Sequence, residues 1–92
     1  MDITGYEFHE LRDPTGIIVG KRYEFLLDVD VEEDDELFTA GGLELRVILA
    51  DEETGARIVH YNFMDKLSRG VLEFGLEDDE EAEVLAFCKE QL

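Results

Sequence analysis

Residues 17–31 read IIVGKRYEFLLDVDV, and this stretch decides the fold. Its odd positions are Ile17, Val19, Lys21, Tyr23, Phe25, Leu27, Val29 and Val31, while the even ones include Gly20, Arg22, Glu24, Asp28 and Asp30. A period of two held that long is a strand with one buried face, because successive side chains leave opposite sides of a pleated chain. Just before it, Asp13-Pro14-Thr15-Gly16 has turn chemistry at each place: Asp to bond the backbone, Pro to fix φ, Gly to accept a positive φ. The two together are a hairpin. With Gly16 as the left-handed residue of a three-residue loop, Tyr6 falls opposite Tyr23 and Phe8 opposite Lys21. The aromatics then join the apolar odd face, and Glu7 meets Arg22 on the other as an attractive cross-strand pair.

Leu43, Leu45, Val47 and Leu49 alternate with Glu44, Arg46 and Ile48; after Asp51-Glu52-Glu53-Thr54-Gly55 come Val59, Tyr61 and Phe63, alternating with Ile58, His60 and Asn62. This is a second hairpin. Keeping both apolar sets on one face puts Val47 near Val59 and Leu45 near Tyr61. Residues 65–70 read as a turn and 71–76 as a short fifth strand. The end is helical: Asp78 and Glu81 have capping-box spacing, acids fill the first turn where the helix dipole favours them, and Val84, Leu85, Phe87, Cys88 and Leu92 share one face. Segment 32–42 reads as a connection, with Leu37 and Phe38 able to tuck inward. The expected fold class is α+β, a single domain over residues 1–92: an antiparallel five-stranded meander, curved or barrel-like, with a C-terminal helix packed on it. The pattern leaves open which sheet face the helix covers.

Charge is distributed unevenly over this frame. The 92 residues carry 25 acidic and 8 basic side chains, a formal net charge of -17. Thirteen of the acids fall in two runs, residues 28–36 and 77–83, and setting those thirteen aside leaves -4, the balance of a common soluble domain. A field this negative repels nucleic acid and anionic membranes and attracts basic partners or cations. Hydrophobic residues make up 45% of the chain, with six Phe and three Tyr, well above the level at which acidic chains stay disordered. The lone Cys88 forms no internal disulfide, and no basic-then-apolar leader or apolar run near the ~20 residues of a membrane span is present, so a cytoplasmic protein is expected.

No motif points to catalysis. A glycosidase needs two carboxyl groups about 5–9.5 Å apart across the scissile bond, a cleft and aromatic platforms for sugar; the chain has no Trp, and its Phe and Tyr fall mostly on core positions. Asp28, Asp30, Glu32 and Asp34 alternate as in a calcium loop. An EF-hand register starting at Asp28, however, has Glu33 where Gly is required and Thr39 where the closing acid belongs, which leaves only weak divalent-ion binding. His9 and His60 could converge if their strands were neighbours, but no His-x-His or Cys-x-x-Cys pair accompanies them. Cys88 sits on the apolar helix stripe, the place of a buried inert thiol, and the glycines punctuate turns without the Lys-Ser/Thr ending of a phosphate loop. The chain therefore reads as no enzyme, with no cofactor and no resident metal.

Two surfaces remain as candidates. The first is acidic: Asp28, Asp30, Glu32, Glu33, Asp34, Asp35 and Glu36. The second is apolar and lies opposite the aromatic face, where Ile3 with Leu26, Leu11 with Ile18, and Ile48 with Ile58 are expected as cross-strand pairs. That is more apolar surface than a water-facing side needs, and it suits a cover by the helix, by a curled sheet, or by a second copy in a homodimer.

The segments Asp13-Pro14-Thr15-Gly16-Ile17, Gly20-Lys21-Arg22-Tyr23-Glu24-Phe25, Leu45-Arg46-Val47-Ile48, and the acidic run leading into Ala86-Phe87-Cys88-Lys89 resemble a small family of acidic proteins of unknown function from Bacillus-type Firmicutes. The resemblance covers most of the chain and implies no activity and no catalytic residue. The leading expectation is a non-enzymatic cytoplasmic interaction module that meets a basic protein partner or itself. The alternative is a nucleic-acid mimic that occupies a DNA-binding protein, which would need its acids spread over one continuous face. Generic adaptation of an acidic surface to high salt is a third reading, and the undiminished Phe, Leu and Ile content argues against it.

Overall fold

The computed structural model describes residues 2–12, 15–16 and 20–92. Strands β1 (Asp2–Leu11), β2 (Lys21–Asp30), β3 (Leu43–Glu52), β4 (Gly55–Asp65) and β5 (Val71–Leu72) lie side by side in chain order, each antiparallel to its neighbour, and helix α1 (Asp78–Glu90) follows. β1 and β5 do not pair, so the sheet is open and curved rather than a closed barrel. The helix packs on one face.

That face is the aromatic one. Phe25, Leu27 and Val29 of β2, Leu43, Leu45, Val47 and Leu49 of β3, and Phe63 of β4 form one buried cluster with Val84 and Cys88 of the helix. Val84 and Cys88 are four residues apart and so lie on one stripe, with Leu85 and Phe87 packed at its margins. Aromatic rings extend the cluster towards β1: Phe8 stacks on Phe25 at 4.8 Å, and Phe87 meets Tyr6 edge-on at 5.5 Å. Each large apolar side chain removed from water in this way stabilises the fold by about 1.5–3 kcal/mol.

Beyond two bulges, which turn Ile3 and Ile58 to the core and leave Val59 exposed, the faces are as the alternation requires, but the registers differ. Tyr6 pairs with Leu27 and Phe8 with Phe25, and Glu7 lies across from Leu26 rather than Arg22; the first hairpin is shifted by four residues. Gly16 has the expected positive φ of 69°, while Asp13, Pro14 and residues 17–19 lie outside the described set. In the second hairpin Val47 pairs with Tyr61 and Leu45 with Phe63, a shift of two. Both shifts are even, and an even slip keeps every side chain on its own face. Two β-bulges break the alternation. One leaves Thr4 without a partner between Ile3 and Gly5, and the other leaves Val59 without one between Ile58 and His60.

β5 spans two residues where six were expected, and the helix caps one residue earlier than expected. Its N-cap is Glu77, whose N–H donates to the Glu80 carboxylate at 3.0 Å in a capping box; Asp78 and Glu81 do not form that pair. At the same end of the sheet, Asp65 ties the 31–42 connection to the β4–β5 turn. It accepts from the Thr39 hydroxyl and from the N–H groups of Leu67 and Ser68, at 2.8 and 3.0 Å. Gly41 is required there, because a Cβ on it would lie 2.6 Å from Asp65 Oδ1 and 2.7 Å from Leu67 Cβ.

Candidate acidic interaction site

The connection after β2 turns at once. Asp35 N–H donates to Glu32 C=O at 3.0 Å, Phe38 N–H to Asp35 C=O at 3.0 Å, and Asp35 Oδ1 accepts from Leu37 N–H at 2.9 Å. These bonds aim Leu37 at the core, where it packs, and leave Phe38 43% exposed, so one of the two apolar side chains is tucked and the other is not. They also present Asp34, Asp35 and Glu36 outward.

The second acidic run arrives beside them. After β5, Phe74 N–H donates back to Leu72 C=O at 2.9 Å, and Leu76 N–H donates to the Tyr61 hydroxyl at 2.7 Å. The strand therefore ends and the chain is pinned to the sheet just before the helix starts. Asp34, Asp35, Glu36, Glu77 and Glu80 consequently line one open hollow of about 380 Å³, together with Leu37, Phe74 and Gly75. The two acidic runs, well apart in sequence, meet at one end of the fold. Phe74, 41% exposed, supplies an apolar ring beside the carboxylates, and sequence reasoning gave neither it nor this convergence.

The counter-charges lie elsewhere. Among the described residues, five basic side chains form ion pairs on the sheet face away from the helix or at the β3–β4 hairpin: Arg46 with Glu24 at 2.6 Å, Arg22 and Arg57 with Glu52 at 3.7 and 3.1 Å, Arg69 with Glu44 at 3.4 Å, and Lys66 with Asp28. Among the described residues no ion pair reaches Asp34, Asp35, Glu36, Glu77 or Glu80. Of the expected acidic surface, Asp28 is thus half-buried and paired, Asp30, Glu32 and Glu33 are exposed, and Asp34, Asp35 and Glu36 line the hollow. A second hollow, at the opposite end of the sheet, is lined by Gly20, Lys21, Asp51, Glu52, Glu53 and Thr54 and mixes both signs of charge.

The expected apolar surface is dispersed. The bulges turn Ile3 and Ile58 to the core side, where both pack, with Ile3 opposite Val29 rather than Leu26 and Ile58 opposite Leu49 rather than Ile48. Ile18 lies outside the described residues, and Leu11 faces Arg22. Leu26 sits between Glu7 and Arg46, and Ile48 between Glu24 and His60. Charged neighbours separate what the sequence pattern grouped.

A family model described as a family of unknown function, DUF6509, matches residues 1–92. The chain belongs to DUF6509. No curated protein and no solved structure matches it. In this DUF6509 chain His9 and His60 share one cross-strand row but sit on β1 and β4, with β2 and β3 between them, a separation of about 14 Å at the usual strand spacing. They do not converge. Among the described residues no group of three or more His, Cys, Asp or Glu side chains is placed to hold a metal ion, and no helix is long and apolar enough to cross a membrane. Burial pushes the Cys88 thiol up to about 12, so it is protonated and unreactive at neutral pH. The hollow offers hydrogen-bond acceptors and an aromatic ring, a combination that suits ammonium and guanidinium groups.

Proposed function

We propose that this chain is a non-enzymatic cytoplasmic interaction module whose acidic hollow receives Lys or Arg side chains of a basic protein partner. The observation that carries this reading is the meeting of both acidic runs around Phe74 with no basic side chain among the lining residues. Unpaired like charges in a concave site concentrate the field there and speed association with an oppositely charged partner. Carboxylates that already had counter-ions would gain little from such a partner. The dispersal of the apolar face among charged residues favours a basic partner over a second copy. The test is capture from native lysate by the intact protein and by a form with Asp34, Asp35, Glu36, Glu77 and Glu80 changed to Asn or Gln. A partner held by both forms equally, at low and at physiological salt, would refute the reading.

The same convergence gives the nucleic-acid mimic a specific argument, since five carboxylates drawn from both runs line one hollow. The mimic requires that the captured partners bind DNA and that duplex DNA displaces them from the protein. Captured proteins that stay bound in excess DNA refute the mimic and leave the general module standing.

A further inference from the structure

The outer edge of β1 points to a strand-addition site for an extended basic segment. β1 is ten residues long and among the described residues pairs with β2 alone, so half of its backbone N–H and C=O groups face outward along the sheet edge. Edge strands are usually blunted by Pro, by Lys, by a bulge or by shortness. The other edge of this sheet, β5, is two residues long. On β1 the single bulge lies near its start, and from Gly5 to Leu11 the ladder is regular, with neither Pro nor Lys. Tyr6, Glu7, Phe8, His9 and Glu10 are all exposed in succession.

The side chains specify what would pair there. Tyr6 and Phe8, 49% and 38% exposed, form a ring shelf that continues into the core through Phe87 and Phe25. A sixth strand would extend that shelf by placing two apolar side chains, two residues apart, against the rings. Glu7 lies on the opposite face and Glu10 beyond Phe8, and β1 carries Asp2, Glu7 and Glu10 with no Lys or Arg. An antiparallel strand with the pattern basic, any, apolar, basic, apolar sets its basic residues opposite Glu10 and Glu7 and its apolar residues opposite Phe8 and Tyr6. A second copy brings a net charge of -17 against another -17 and offers no Lys or Arg from its own β1, so the occupant is a basic segment of another protein. Backbone pairing supplies affinity and the alternate side chains supply selectivity, as in other strand-addition sites. This surface is separate from the hollow, and its test does not depend on the hollow's role.

The probe is the acetylated peptide Thr-Lys-Thr-Val-Lys-Val-Thr, followed by fluorescence anisotropy on the full chain. Two further peptides carry N-methyl groups on one or the other set of alternate residues, which removes the N–H groups of one edge only. Strand addition requires that one methylated set weakens binding by about tenfold or more while the other binds as the parent does. It also requires that alternate amides between Tyr6 and Glu10 gain protection from hydrogen exchange in the complex. Equal binding by both methylated peptides, or by a peptide of the same composition with its two lysines adjacent, would show attraction by charge alone and overturn the proposal. So would sedimentation of the unliganded protein as a dimer that loses the same β1 protection when Phe8→Lys makes it monomeric, because a second copy would then own the edge.

Discussion

Tyr61→Phe isolates one hydrogen bond on which the geometry of the hollow depends. The Tyr61 ring packs against the core and its hydroxyl accepts from Leu76 N–H at 2.7 Å, in a partly buried place two residues after Phe74 and one before the helix cap. Phe keeps the ring and removes only the acceptor. A typical hydrogen bond contributes about 1 kcal/mol net, and a buried donor left without a partner costs about 1–3 kcal/mol. Partial exposure lets water replace some of the loss, so the expected destabilisation is about 1–2 kcal/mol, a fall in Tm of roughly 4–16 °C for a domain of this size. Urea unfolding followed by circular dichroism should show a lower midpoint at an unchanged slope, since the area exposed on unfolding is the same. Hydrogen exchange at Leu76 should accelerate by more than the change in global stability accounts for, because segment 73–77 loses its tether. Stability within about 0.3 kcal/mol of the unmutated protein, with Leu76 protection unchanged, would refute the reasoning, since a bond worth nothing cannot hold the helix start in place.

Cys88, with its thiol pushed up to about 12 by burial, should resist aromatic disulfide reagents in the native protein at pH 8 and react at a rate set by unfolding; rapid stoichiometric labelling without denaturant would show that the helix does not seal the core. Asp65 is held below its ordinary value of 3.8 chiefly by the Thr39 hydroxyl, with backbone help from Ser68 and Leu67. The stability it contributes is therefore complete above pH 3.8 and lost as pH falls from there through the folded-state value. Acid titrations of the unmutated protein and of Asp65→Asn should converge over that range, and a constant gap down to the acid limit would contradict the assignment. Replacing Asp34 and Asp35 together by Asn should leave stability unchanged or slightly higher at low salt, because it relieves repulsion in the hollow; a loss of more than about 2 kcal/mol in urea melts would mean these side chains hold structure.

Side-chain alternation made the faces of this sheet readable, and little else about the pairing. The period-two pattern of 17–31 is unchanged by a slip of two or four residues, so it places Tyr6 on the aromatic face without distinguishing Tyr23 from Leu27, the observed partner. Bulges carry no comparable mark. Thr4 and Val59 are ordinary strand residues, yet the extra residue at each place carries Ile3 and Ile58 to the core side. An apolar surface inferred from strict alternation dissolves once two of its members change sides. The helix was legible to within one residue at its cap, because its acidic first turn and apolar stripe are local, while the choice between Glu77 and Asp78 as the cap is not marked in a run of acids.

The length of β5 decides where the second acidic run lies, and therefore whether there is a site at all. In a meander, the β2–β3 connection and the β4–β5 turn fall at the same end of the sheet, and each residue added to β5 carries the chain away from that end. A strand filling residues 71–76 would add four residues to the observed two, moving the start of the helix by about 13 Å at 3.3 Å per residue. Glu77 and Glu80 would then stand beside the middle of β4, out of reach of Asp34, Asp35 and Glu36. The bond from Phe74 N–H back to Leu72 C=O ends the strand, and the Tyr61 hydroxyl fixes Leu76 where the chain turns towards the helix. Clustering of the acids follows from these two local bonds and not from attraction between the runs, which repel. A cost accepted in that way, with the counter-charges gathered on the other face of the sheet, is the arrangement a basic partner would relieve.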